Sequence, residues 1–567
     1  MIRYRAAPKS AFLRTGLTVF LLLMAQAVRA ERLFVGILEA DSYQSVIYGA
    51  SAFSRVADLP MALELVQSTL AKAMALPSFS GVSAKDTLRI VQTVDPALPL
   101  SDSNPANVAL LALTDNGSAV LESFAAAYRK QTPSDPFTVF EEPSATNLPP
   151  LVAVAVTGGH LLTSTSRDAL AWAWKNRVHL IDAPPQSLPG TLRVLVNPQR
   201  LADLIGTRGA KATDFLNTDK LLRDFETFSF ALALDGQALA LTVRGKPLAK
   251  TGLDALSAAL RPPQERLWNG LPDTAFFASA SACGAPDLWD GYLGKTRFRL
   301  LRPYAGLAPQ DAYSGDRLVY LAPTKDGQRF CFVQIEPVKQ EALVTEAIRR
   351  LHTVKQDDGI ILTPQPVRQV GGAEIHSYAI SLKPPAAAPG EKPADASLTF
   401  TLLSLFLKQT MLEAAVTRGH LITVIGVANT IESELSSLTF PESQLTLHRK
   451  ISVQDPALGE ALNVGASLHL AGLLRHMVSI IPDVKPEQVR VMPSGGDGAT
   501  FGITRSEDHT LTASLRFHSN EIAALQRINR DGRAVLQELF FQMFAKQMME
   551  MQQPKKEDSG SPSQKAP

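Results

Sequence analysis

Ala155-Val156-Thr157-Gly158-Gly159-His160-Leu161-Leu162-Thr163 returns later in the chain as Ala415-Val416-Thr417-Arg418-Gly419-His420-Leu421-Ile422-Thr423, unchanged at seven of nine positions. In both copies an apolar run ending in Thr meets Gly-His and then a second apolar run. This is a β-hairpin signature, because Gly159 and Gly419 take without strain the positive φ that a tight turn between right-twisted strands requires. His160 and His420 follow those glycines at matching places. One His at each site, with no other ligand at fixed spacing, does not make a metal centre, so both read as polar turn residues. A short amphipathic helix follows each copy, around Asp168–Trp174 and Asn429–Leu435.

Working outward, further segments match in the same order. Leu33–Leu38 corresponds to Ala275–Ala278 at an offset of 242, and Val108–Leu113 with its helix corresponds to Phe330–Ile335 with its helix at 222. The Gly-His hairpin matches at 260, and Leu192–Val196 with the helix Gln199–Ile205 matches Ala466–Leu470 with Leu473–Ile481 at 274. A closing hairpin, Phe228–Leu234 and Ala238–Val243 turned at Asp235-Gly236, matches Thr500–Thr504 and Leu511–Phe517 at about 272. The Asp-Gly turn is itself a strong hairpin signal. An Ala-rich helix is predicted over Ser118–Lys130, behind the turn Asp115-Asn116-Gly117. The sequence therefore predicts an α+β protein of two similar domains, each a largely antiparallel sheet with flanking helices, at residues 31–260 and 273–550. A Pro-rich insertion at 383–397 lies in the second, where the offset jumps by 38 between Ile335 and Thr417. The tail 552–567, rich in Pro, Lys and Ser, is predicted to be disordered.

Residues 1–30 read as a secretory signal peptide. Arg3, Arg5, Lys9 and Arg14 form a basic region, Leu17–Ala27 an apolar one, and Val28-Arg29-Ala30 a small-x-small cleavage site. The apolar run is shorter than the roughly twenty residues that span a bilayer, and no later stretch is long and apolar enough to do so. The mature chain is then predicted to start at Glu31, in the periplasm or outside the cell. Of 56 Lys and Arg, the leader removes Arg3, Arg5, Lys9, Arg14 and Arg29 and no acid, which leaves 51 against 54 Asp and Glu. That balance of about −3 lacks the basic stripe of a nucleic-acid partner.

No catalytic motif stands out. The Gly-x-Ser-x-Gly elbow and His-Glu-x-x-His are absent. Ser494-Gly495-Gly496-Asp497-Gly498 lacks the Gly-Lys-Ser/Thr ending of a phosphate-binding loop. His469 and His476 flank a helix start and read as surface or core-edge residues. No metal or cofactor is implied. The helix predicted from Asn520 onward carries Phe540, Met543, Phe544 and Met548 at helical spacing, either a packing face or an adaptable docking face for an unknown protein or envelope partner. The two cysteines, Cys283 and Cys331, fall on predicted strands of the second domain. They are either a structural disulfide, as an oxidising compartment allows, closing a loop of about 48 residues at up to roughly 4 kcal/mol, or two separate buried thiols.

In its signal peptide, matched halves, paired Gly-His hairpins and Pro-rich insertion, the chain resembles exported bacterial proteins of uncharacterised function built from a duplicated α+β unit. The resemblance implies no catalytic residues. A non-enzymatic binding, scaffold or envelope-associated protein is the leading expectation. A hydrolase with a distributed active site and a carrier of an apolar ligand are the alternatives.

Overall fold

The computed structural model describes residues 33–57, 63–95, 105–146, 148–183, 188–207, 218–234, 236–261, 274–282, 308–324, 327, 329–353, 360–382, 410–437, 458, 462–480, 484–533, 535 and 537–538. The predicted leader, Pro-rich insertion and tail lie outside them, as do Cys283, Phe540, Met543, Phe544 and Met548.

Strand β1 (Leu33–Ala40) leads through helices α1 (Tyr43–Val56) and α2 (Leu63–Ala73) to β2 (Leu88–Val94) and β3 (Ala106–Ala112). Helix α3 (Ser118–Ala127) precedes the hairpin of β4 (Tyr128–Ser134) and β5 (Phe137–Pro143), and the Gly-His hairpin of β6 (Leu151–Thr157) and β7 (His160–Ser164) follows. Then come α4 (Arg167–Lys175), α5 (Arg177–Asp182), β8 (Leu192–Val196), α6 (Pro198–Thr207), α7 (Thr218–Arg223), β9 (Phe225–Leu234), β10 (Ala238–Pro247) and α8 (Gly252–Ala259). The later half of the chain supplies β11 (Phe277–Ala282), β12 (Asp316–Pro323), β13 (Phe330–Pro337), α9 (Glu341–Arg349), β14 (Ile360–Pro364), β15 (Arg368–Val370) and β16 (Ala373–Leu382). It continues with β17 (Thr410–Thr417), β18 (His420–Val427), α10 (Thr430–Ser437), β19 (Leu462–Leu468), α11 (Leu470–Ser479), α12 (Pro486–Arg490), β20 (Ala499–Arg505), β21 (Leu511–His518) and α13 (Ser519–Arg527).

The 21 strands join in one antiparallel sheet. Its middle is the pair β10–β21, matched from Ala238↔His518 to Gly245↔Leu511. Outward from β10 the order is β9, β8, β1, β2, β3, β7, β6, β5 and β4. Outward from β21 it is β20, β19, β11, β12, β13, β18, β17 and β16, the last pairing with both β14 and β15. With an α+β composition and a large antiparallel sheet, the predicted fold class is met at that level.

Continuous apolar runs such as Leu151–Val156 form strands buried on both faces, since successive side chains alternate sides. Leu161 packs with Leu38, Ile90 and Leu111 against Val46 and Ile47 of α1 and Phe124 of α3. Its neighbour Leu162 packs on the other face with Val108 and Ala153 against Ala169, Leu170 and Ala173 of α4. The second Gly-His hairpin is sandwiched likewise, Leu421 with Val344 and Ile348 of α9 and Ile422 with Ile431 of α10. Each fully buried Leu, Ile or Phe contributes about 1.5–3 kcal/mol by leaving water. The two following helices are started differently. Ser166 accepts from Ala169 N at the head of α4, whereas Glu413, reaching from β17, accepts from Asn429 N and Ile431 N at the head of α10.

The Ala-rich helix stops at Ala127, earlier than its composition predicts, because Tyr128 already pairs with Pro143 in the β4–β5 ladder. Gly49 lets α1 lie close on β9: a Cβ there would stand 2.6 Å from the Leu234 carbonyl oxygen.

Candidate functional site

The Gly-His turns are two-residue turns. Thr157 pairs with His160 and Thr417 with His420, and both central residues of each turn have positive φ, 54° and 77° at Gly158 and Gly159, 49° and 77° at Arg418 and Gly419. Each imidazole reaches back to its own turn, His160 Nδ1 to Gly158 O at 3.0 Å and His420 Nδ1 to Arg418 O at 2.9 Å. The Gly159 and Gly419 carbonyls accept from Leu113 N and Val338 N, each at 2.8 Å. These histidines hold turns in shape, and 260 residues of chain separate them.

His469 N-caps α11 by position and lies 3.3 Å from Gly496 O through Nδ1. The His476 ring packs against Phe276 and, edge-on, against Phe330, at 5.2 and 4.9 Å. Cys331 is buried in β13 opposite Ala322. Ala282, the residue before Cys283, is opposite Asp316 at the other end of β12.

Buried carboxylates elsewhere in the sheet lock elements together. Glu39 on β1 lies between Arg89 of β2, 3.0 Å away, and Arg193 of β8, 3.1 Å away. The Arg89 guanidinium also donates to the Leu180, Ile181 and Ala183 carbonyls, closing the C-terminus of α5. Glu413 holds Arg368 of β15 as well as the head of α10. Glu521 of α13 accepts from Ala471 N of α11 at 2.7 Å and from Gly496 N at 3.0 Å.

A different arrangement lines a cleft of about 380 Å³ in the later half. Its wall is the stretch of β16 that carries Glu374, His376, Ser377 and Tyr378, opposed by Arg349 at the end of α9 and His352 in the 3-10 turn after it, with Pro364, Gln365 and Val367 at the rim. The glycine pair Gly371-Gly372, both at positive φ, turns β15 into β16 and sets this register. Arg349 Nη2 donates to Glu374 Oε2 at 2.8 Å. This bond lowers the Glu374 carboxyl below its usual range and raises the Arg349 guanidinium.

His376 is 6% exposed. Its Nε2 stands 3.5 Å from the same Glu374 oxygen, at the outer limit of a hydrogen bond, and makes no hydrogen bond of its own. Burial lowers the imidazole pKa, with Glu374 partly opposing and Arg349 adding to the effect, so the ring is neutral at pH 7. Burial pushes Tyr378 up to about 12, and its hydroxyl donates to Ile348 O at 2.5 Å. The His352 ring stacks on Tyr378 at 6.4 Å.

No protein-family model, curated protein or solved structure matches this chain. Arg349, Glu374 and His376 are residues that the sequence alone does not single out. Their signal is Glu374-Ile375-His376-Ser377-Tyr378 itself, three polar or aromatic side chains at a period of two behind a Gly-Gly turn. Ser377 projects to the opposite face of β16, where its hydroxyl donates to Glu413 Oε1 at 3.4 Å. Among the described residues, no group of three or more His, Cys, Asp or Glu is placed to hold a metal ion, and no helix is long and apolar enough to cross a membrane.

Proposed function

We propose that this chain is an exported, non-enzymatic binding or scaffold protein, associated with the cell envelope or released beyond it, and made of two copies of one α+β unit. The order of strands outward from β10 and β21 supports the duplication, pairing β9 with β20, β8 with β19, β1 with β11, β2 with β12, β3 with β13, β7 with β18, β6 with β17 and β5 with β16. Register supports it as well. Starting from the Gly-His turns, 260 apart, and stepping across each ladder, the correspondence arrives at β10 and β21 with Thr242 matched to Ser514. Those two residues face each other, Oγ1 to Oγ at 3.4 Å, on the line where a two-fold axis would pass. The leader-like residues 1–30 support export.

The observation that carries the non-enzymatic reading is the opposed aim of His376 and Ser377. Ser377 also borders the cleft, but its hydroxyl is engaged by Glu413, and the imidazole is turned toward a guanidinium and a carboxylate, groups that recognise and hold a ligand. His376 and Glu374 of the cleft have no like residues at the matching places of the first unit. Stepping across the ladders matches His376, opposite Ala414, with Thr138, opposite Val154, and matches Glu374 with Pro136.

Incubation of the full chain with a panel of p-nitrophenyl esters tests the reading. No turnover above a buffer blank is expected. Turnover that disappears in His376→Ala would replace the binding reading with that of a hydrolase. N-terminal sequencing of the product released by its host is expected to find Glu31 first.

A further inference from the structure

The cleft in the second half holds its carboxylate in a particular way. A single oxygen, Glu374 Oε2, is shared by Arg349 Nη2 at 2.8 Å and His376 Nε2 at 3.5 Å. A guanidinium and a buried imidazole nitrogen converging on one point form a receptor for a carboxylate, and here a side chain of the protein itself occupies it. The occupant is loosely held: the Arg349 and Glu374 side chains are 50% and 39% exposed, and an ion pair so open to water contributes little. The imidazole is the opposite case. It is more than nine-tenths buried, lines the cleft and has for Nε2 only the distant Glu374 oxygen at 3.5 Å, too long for a well-formed hydrogen bond, a deficit that buried polar groups seldom carry. Beside this polar point lie apolar surfaces, Val367 at 52% exposure, Pro364 and the stacked His352 and Tyr378 rings.

We infer that the cleft is a binding site for a small carboxylic acid with an apolar tail, whose carboxylate takes the place that Glu374 holds between Arg349 and His376. The apolar tail lies against Val367, Pro364 and the His352–Tyr378 pair. Glu374 swings into solvent when the ligand enters and so acts as a built-in competitor that sets the affinity. This assignment rests on the binding reading given above, and its test is separate from the ester assay that tests that reading.

Calorimetric titration of the full chain at pH 7 with benzoate, and with the neutral isostere benzamide, decides the matter. Benzoate is expected to bind saturably at one site per chain and benzamide at least tenfold more weakly. Arg349→Ala is expected to weaken benzoate at least tenfold, and Glu374→Gln, which removes the competing charge, to tighten it several-fold. Both side chains are surface groups, and circular dichroism checks that the variants are folded. Absence of saturable benzoate binding in both the natural protein and Glu374→Gln overturns the inference. So does weakening by Glu374→Gln, which would assign the carboxylate to the recognition of a cationic ligand, and so does equal binding of benzamide.

Discussion

Ser257 Oγ donates to the His509 carbonyl oxygen at 3.1 Å, tying the helix that closes the first half of the chain to the β20–β21 turn of the second. The contact is reciprocated. Ser519, which opens α13, donates through its amide to Gln237 O at 2.8 Å and through its hydroxyl to Gly236 O at 3.2 Å, in the β9–β10 turn. Helix α8 follows the same exchange, its Leu253 and Leu256 and the C-cap Leu260 packed with Phe225 and against Val464, Ile503 and Leu511. Leu256→Ala is expected to destabilise the protein by about 2–5 kcal/mol. Its local signature is faster amide exchange in β20 and β21, measured by hydrogen exchange with mass spectrometry. Loosening confined to β9 and β10 would contradict the crossed packing.

The β10–β21 seam makes its own prediction. With Thr242 and Ser514 opposite one another, the double variant Thr242→Cys, Ser514→Cys is expected to form an intrachain bridge under mild oxidation. Peptide mass mapping would find the 242 and 514 peptides joined. Shifting one cysteine to Leu241, which points to the other face, is expected to abolish the bridge.

Glu39 is 1% exposed and is shared by two arginines. Its replacement by Ala would leave the buried Arg89 guanidinium without a carboxylate and Arg193 with Asp41 alone, a loss of about 3–5 kcal/mol expected as a lower urea midpoint. Replacing Asp41, which pairs with Arg193 from a position 67% exposed, is expected to cost less than about 1 kcal/mol.

Two ends of the pH scale are set by named groups. His376 has its folded-state pKa below the ordinary 6.5, so its contribution is complete above pH 6.5 and is lost as the pH falls and the buried ring must charge. The groups facing it are Glu374, which favours the proton, Arg349, which opposes it, and the His352–Tyr378 stack. His376→Gln is expected to flatten the dependence of the urea midpoint on pH as the pH falls below 6.5. At the alkaline end, burial raises Tyr128 and Tyr378 to about 12. A group raised in the folded state stabilises below its unfolded pKa of 10.0 and loses that contribution as the pH climbs toward 12. Absorbance at 295 nm is expected to show Tyr128 and Tyr378 ionising about two units late, and one late-ionising group fewer in Tyr378→Phe.

The hairpins were legible in the sequence because their turns need glycine at fixed places and their strands are apolar on both faces. Thr157 and Thr417 mark strand ends that the ladder reproduces. Strand β4 was not legible. Tyr128-Arg129-Lys130-Gln131-Thr132-Pro133-Ser134 is exposed after Tyr128 and is extended only because β5 pairs with it, so the Ala-rich run before it reads as a longer helix. The cleft was hidden for a related reason. In β16 polar residues occur on both faces, Glu374 and His376 on one and Ser377 on the other, which erases the alternation that reveals a half-buried strand. Arg349 joins them from 25 residues away through the packing of α9 on the sheet, a relation that no local pattern records.

The central pairing also sets a timetable. Thr242 leaves the ribosome 272 residues before Ser514, and at roughly 5–20 residues per second that interval lasts some tens of seconds. Throughout it β10 lacks the strand that will cover its edge, and an open edge is a template for joining another chain. A product cut short before Leu511 lacks β21 and keeps that edge bare for its lifetime.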